Sequence, residues 1–196
     1  MRLVLATRNR GKLVELRRIL DADPALPVVE LCSATDVELP EVEEHGATFA
    51  ENALLKARSA TAATGLASLA DDSGLVVDAL QGDPGVRSAR YAGAHGDDEA
   101  NLRLVLERMR GVGDRRARFV CAAALVAPDG REWVEEASVA GTLAHAPRGA
   151  GGFGYDPIFV PVGESRTTAE MPPAAKDAIS HRGKAFRAIA AHLAQL

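Results

Sequence analysis

Cysteine is nearly absent: Cys32 and Cys121 are the only two, both in apolar surroundings. A disulfide framework is excluded, and two buried, reduced thiols are expected. Aromatic residues make up only 4% of the chain, so the core must be largely aliphatic and an aromatic in a polar loop calls for an explanation. Positive charge is not in excess. A net charge of -4 with a pI of about 5.8 argues against general affinity for a nucleic-acid backbone. No nucleic-acid partner is expected, and phosphate recognition has to come from local cations and backbone N–H groups. No apolar run approaches the roughly 20 residues of a membrane helix, and Met1–Ala6 is too short for the apolar region of a signal sequence. The expected location is cytoplasmic, with no membrane partner. Also missing are a cysteine–histidine cluster suited to zinc, a dinucleotide-binding glycine pattern after a strand, and the glycines and final Ser/Thr of a Walker A loop.

What is present is ordinary globular composition, 47% hydrophobic and 26% charged over 196 residues, enough for one domain spanning 1–196 as two lobes. Leu3–Ala6 has the pattern of a buried strand, and Thr7–Gly11 that of a turn. A helix is expected from Lys12, with Leu13, Leu16 and Leu20 on one face, ended by Asp23-Pro24. Val28–Leu31 is a strand candidate and Asp36–Ala47 an acidic loop. Thr48 and Glu51 have capping-box spacing before a helix over Asn52–Thr64 that stops at Gly65. Ala67–Ala70 and Leu75–Leu80 are expected as two strands with Asp71-Asp72-Ser73-Gly74 as a turn between them. Gly82–Gly96 has the composition of a long functional loop. A helix is expected over Glu99–Arg110, a hairpin over Arg118–Val126 and Glu132–Ala140, a short strand at Ile158–Pro161, and a last helix capped by Ser180. βα units mixed with a hairpin predict an α/β fold with a mixed sheet.

Four stretches carry chemistry. Thr7-Arg8-Asn9-Arg10-Gly11-Lys12 joins a strand to a helix start, where free N–H groups and the positive dipole end suit phosphate. Asp71 and Asp72 form the second. Adjacent acids on extended backbone point to opposite sides, so Asp72 is expected to face the ligand and Asp71 to support the turn, with Glu41 of the acidic loop as a second metal ligand. A Mg²⁺ site needs only one or two carboxylates, with waters and substrate phosphates filling the octahedron. Third, glycines flank Phe153 in Gly152-Phe153-Gly154-Tyr155-Asp156, which suits a ring lying flat against a planar base, with Asp156 able to accept from a base or sugar donor. Fourth, Lys176 and Ser180-His181-Arg182-Gly183-Lys184 place cations at a helix start, where the dipole disfavours them, which suits an anionic or carbonyl-bearing ligand. Together these imply an enzyme acting on a nucleotide.

In order along the chain, Leu5–Lys12, Thr48–Ala57, Ala70–Leu75, Gly152–Phe159 and Ser180–Ala185 resemble five motifs of the non-canonical purine nucleoside triphosphate pyrophosphatases, the inosine triphosphatase or XTP/dITP pyrophosphatase family. The resemblance runs from Leu3 to about Ala190, and Arg8 stands where the family often has Gly. It implies an elongated α/β protein with a long central mixed sheet, flanking helices and two lobes around a cleft, commonly a homodimer. It further implies Mg²⁺-dependent hydrolysis of ITP, dITP or XTP to the monophosphate and pyrophosphate. By motif position, Asp72 is implied as general base and metal ligand and Glu41 as a metal ligand. Thr7, Arg8, Asn9, Arg10, Gly11, Lys12, Lys56, Ser73 and Lys176 are implied for the phosphates and sugar. Phe153, within Phe153-Gly154-Tyr155-Asp156, would stack on the base, with Asp156, His181 and Arg182 at its edge.

Overall fold

The computed structural model describes residues 2–22, 30–33 and 36–196. Among them six strands form one mixed sheet in the order β2-β1-β3-β4-β5-β6: β1 (Arg2–Leu5), β2 (Glu30–Ser33), β3 (Ala67–Val77), β4 (Arg116–Val126), β5 (Glu132–Leu143) and β6 (Phe159–Pro161). β1 runs parallel to both β2 and β3, while β5 and β6 are antiparallel. The α/β class and the mixed sheet agree with the sequence pattern. The helices are α1 (Arg10–Asp21), α2 (Phe49–Thr64), α3 (Asp98–Arg108), α4 (Pro173–Ile179) and α5 (His181–Ala190). None is long and apolar enough to cross a membrane.

The chain packs into two compact units. The first comprises the residues through Asp72, Cys121–Ala137 and Arg182–Leu196; the second comprises Ser73–Val120 and Ser138–His181. In the first, Leu3, Leu5 and Leu69 of the parallel strands and Cys121, Ala123 and Leu125 of β4 are buried with Leu16 and Ile19 of α1 and Phe186 and Ile189 of α5. In the second, Leu75, Val77 and Phe119 are buried with Leu102, Val105 and Met109 at the end of α3, and with Leu143, Ile158 and Phe159. Both thiols are free and buried, as expected.

Local signals account for most helix ends. Asn9 caps α1 by accepting from the Lys12 N–H (3.0 Å), so α1 begins at Arg10, two residues earlier than the apolar pattern alone indicates. Thr48 and Glu51 form the expected capping box on α2, and Gly65 closes it in the left-handed region at φ 68°. Thr48→Ala is expected to destabilise the protein by about 1 kcal/mol and to lower the melting temperature by roughly 2–4 °C, readable in a thermal melt without substrate.

Two expectations need correction. β3 is one unbroken strand of 11 residues, not two strands around a turn. Asp71 and Asp72 lie in its middle and are both buried, because cations from distant parts of the chain meet them there. The last helix, α5, begins directly after an extended Ser180, where it was expected to start, and the short α4 before it had no counterpart in the sequence pattern. Gly82–Gly96 contains a 3-10 helix over Gly85–Arg90, tied down by Ser88, whose hydroxyl donates to Gly85 O and accepts from Leu75 N–H. The strand candidate at 28–31 lies partly, and the proposed helix stop Asp23-Pro24 wholly, outside the described residues; the described part of that strand is Glu30–Ser33.

Candidate active site

The first unit holds a cluster of charges assembled by β1, α1, α2, β3 and α5. The chain leaves β1 through Thr7 and Asn9, where the Asn9 N–H donates to Thr7 Oγ1 (3.3 Å) and the Asn9 side chain opens α1. That turn places Lys12 in the first turn of α1, with its ammonium 3.0 Å from Asp71 Oδ2. Arg8 and Arg10 are exposed, and Arg8 donates to the Leu39 carbonyl at 2.7 Å, tying this turn to the acidic loop.

Asp71 also accepts from the Arg182 guanidinium (Nε, 3.4 Å), and Arg182 in turn pairs with Glu15 on α1. Arg182, Glu15 and Asp71 are all buried. Burial, the largest influence on Asp71, opposes its ionisation. The charges of Lys12, Arg182 and Lys56 outweigh it and hold the carboxyl well below the usual carboxylate range. Cys121 Sγ, 3.8 Å from Asp71 Oδ2, is pushed up by burial and by that carboxylate, so it stays a thiol.

On the next residue the balance is reversed. Asp72 Oδ2 accepts from Asn52 Nδ2 (3.1 Å), and Oδ1 lies 3.6 Å from Lys56 Nζ. Lys56 is shared with Glu44, 3.0 Å away. Burial raises the Asp72 carboxyl above its ordinary value, and Lys56 and Lys12 only partly offset this. Lys56 feels burial first as well, but the carboxylates of Asp72 and Glu44 overcome it and raise its ammonium. Two adjacent acids in one strand therefore sit in opposite electrostatic environments.

The second unit holds the aromatic stretch. Asp156 is buried with both oxygens engaged: Oδ1 accepts from Thr168 Oγ1 (2.7 Å), and Oδ2 from Lys176 Nζ (2.5 Å) and from the Phe153 N–H (2.9 Å). The Lys176 ammonium lies 5.4 Å from the centre of the Phe153 ring. Gly152, at φ 71°, packs so closely that an added Cβ would overlap the Asp156 carboxylate. Tyr155 is buried and donates from its hydroxyl to Ser88 O (2.8 Å), and burial pushes its phenol pKa upward. The Gly154 N–H donates to Asp98 (2.8 Å). His181, the first residue of α5, is buried with its ring stacked on Phe119 at 4.8 Å and 14°. Gly152→Ala is expected to disturb the Phe153 segment, because both the backbone angle and the space require glycine. A fall in Phe153-dependent binding affinity, together with a fall in melting temperature, would report it.

The structure thus gathers Lys12, Lys56, Asp71, Asp72 and Arg182 in one cluster, and Phe153, Asp156, Lys176 and His181 in the other unit. Lys176, expected with the phosphates and sugar, adjoins the aromatic ring. Arg182, expected at the base edge, is held between Glu15 and Asp71. Glu41 is exposed, whereas Glu44, three residues on, shares Lys56 with Asp72. Sequence reasoning missed Glu15, Glu44, Asn52, Phe119 and Thr168. The α1 spacing from Lys12 to Glu15 was the one available signal for Glu15, since residues three apart share a helix face.

A helix-start turn beside a buried acid pair, on a mixed α/β sheet, defines the class. The chain belongs to the Ham1 family, which it matches over residues 3–192. It is 58% identical over 190 residues to the dITP/XTP pyrophosphatase of Streptomyces coelicolor, covering 96% of this chain and 94% of that protein. Among solved structures it is similar to a nucleoside-triphosphatase / dITP/XTP pyrophosphatase from Mycobacterium abscessus, with 53% identity, a TM-score of 0.77 and coverage of 96% and 98%. It is also similar to a HAM1 protein from Coxiella burnetii, with 40% identity, a TM-score of 0.88 and full coverage of both chains.

Proposed function

We propose that this hydrolase converts non-canonical purine nucleoside triphosphates (ITP, dITP and XTP) to the monophosphate and pyrophosphate. The observation that carries the base assignment is the Phe153 segment. Asp156 fixes its backbone and holds the Lys176 ammonium beside the ring, giving a flat apolar face with a hydrogen-bond donor alongside. A purine carrying a six-carbonyl matches that arrangement: its π-face stacks on Phe153, and its carbonyl accepts from Lys176 or His181. Adenine presents an amino donor at the same place and leaves donors unpaired, which is a strong source of discrimination. Guanine shares the six-carbonyl, so its rejection acts at the two-position.

The triphosphate is assigned to the cluster of the first unit. Three cations there, Lys12, Lys56 and Arg182, face four carboxylates, Glu15, Glu44, Asp71 and Asp72. The surplus negative charge, the raised Asp72 carboxyl and the unpartnered, buried Asp71 Oδ1 suit a hard divalent cation. No group of three metal-ligating side chains occurs among the described residues, and a Mg²⁺ ion arriving with phosphates needs only one or two carboxylates. Asp72 would hold it, with Glu41, or Glu44, which shares Lys56 with Asp72, as second ligand. When bound, Mg²⁺ neutralises phosphate charge and orients the attacking water. Water attacks the α-phosphorus, the bond to the bridging oxygen breaks, and pyrophosphate leaves. Asp72 accepts the water's proton, while Lys12 and Lys56 stabilise the charge that develops on the leaving group. The start of α1, with its positive dipole end, would add to the binding of the same anion.

The test is a panel of ITP, dITP, XTP, GTP and ATP, comparing kcat/KM for each on the wild type and on Phe153→Ala. The wild type is expected to favour the first three. Loss of stacking, typically about 1–3 kcal/mol, should lower kcat/KM for ITP by roughly 5- to 150-fold. Equal kcat/KM for ATP and ITP would overturn the base assignment.

A further inference from the structure

His181 stands at the first position of α5, where an imidazole has no turn of helix before it to restrict its ring. Phe119 packs against its face. This β4 side chain is buried and lies nearly parallel to the imidazole, with centroids 4.8 Å apart and planes inclined by 14°. Phe119 is itself fixed by Phe159, 4.4 Å away at a tilt of 52°, and Phe159 is fully buried at the start of β6. Three rings thus link the rigid sheet to the first residue of the helix. Such stacks have a preferred geometry as well as an energy. A hydrogen bond from a ring nitrogen lies in the ring plane, so fixing that plane fixes the line along which His181 can donate.

We propose that Phe119 is a positioning residue for base selection: it sets the plane of the His181 imidazole and so aims its donor at the six-carbonyl. The proposal rests on the reading of His181 as a reader of the base edge. Phe119 does not touch the base; it acts through His181 on the difference between a carbonyl and an amino group at the six-position.

The test is a double-mutant cycle of Phe119→Leu and His181→Ala, read as the ratio of kcat/KM for ITP to that for ATP. Leucine keeps the site apolar and removes the stack. The ratio should fall about 3- to 10-fold in Phe119→Leu, the range given by aromatic pair energies. In the His181→Ala background, Phe119→Leu should lower it no further, because the two residues act as one unit. A fall of equal size in both backgrounds, or no fall in Phe119→Leu while His181→Ala lowers the ratio, overturns the proposal and leaves the reading of His181 standing. An unchanged ratio in His181→Ala overturns the reading itself, and the proposal with it. If Phe119→Leu yields no folded protein, Phe119→Met, unbranched and adaptable in a core, carries the same test.

Discussion

Asp72→Asn is expected to lower kcat for ITP by about 10³-fold or more, within the range of roughly 10²–10⁴ for loss of a general base, with loss of a metal ligand adding to it. The same substitution should leave stability unchanged or raise it. The wild-type carboxyl is buried, and burial has already raised it above its ordinary value, so a neutral amide of the same shape removes a desolvation cost. Lys56 keeps Glu44 as its partner at 3.0 Å, so no buried cation is left uncompensated. A thermal melt beside a turnover assay separates the two effects. Near-normal turnover of dITP with Mg²⁺ would remove Asp72 from its catalytic role.

Asp71→Asn should behave in the opposite way. Its carboxylate faces both Lys12 and Arg182 from a fully buried position, and Asn leaves Arg182 with Glu15 and Lys12 with the charge of Asp72, each without its Asp71 contact in low dielectric. Breaking a buried ion pair by removing one partner typically costs about 3–5 kcal/mol, here a fall in melting temperature of roughly 10 °C. The acid dependence follows from the same environment. The folded-state pKa of Asp71 is depressed because its cations outweigh burial. Its contribution is therefore fully present above the unfolded value of about 4 and is lost as pH falls below that toward the folded value. Melts of the metal-free protein between neutral pH and about pH 3 should show a shallower acid limb in Asp71→Asn than in the wild type. Superimposable acid limbs would mean that Asp71 does not carry this charge balance.

The contrast between these neighbours shows what the sequence carries and what it leaves out. Local chemistry was legible. The Thr48–Glu51 capping box and the turn from β1 into α1 follow from residues within a few positions of one another. The need for glycine at 152 is local as well, since a Cβ there would strike Asp156 four residues on, although the sequence suggested a planar ligand as its reason. The course of β3 was not legible. Asp-Asp-Ser-Gly has turn composition, and only charges 15, 59 and 111 residues away, on Lys56, Lys12 and Arg182, make an unbroken buried strand tolerable there. α4 has seven residues, beginning at the second proline of the Pro172-Pro173 pair, too few for an apolar period to show. Among Glu41, Glu43 and Glu44, nothing in the acidic run itself distinguishes the one that meets Lys56. Arg182 was seen as a cation at a helix start, but its partners, Glu15 and Asp71, lie in parts of the chain that only the packed unit brings to it.

The proposed reaction is cleavage between the α- and β-phosphates of a six-oxo purine nucleotide, with Asp72 receiving the proton of the attacking water. The most direct measurement is turnover of ITP with Mg²⁺ in ¹⁸O-labelled water, with all products resolved. One pyrophosphate is expected for each IMP, with the label in IMP and no orthophosphate. Formation of IDP with orthophosphate, or label in the pyrophosphate, would contradict it.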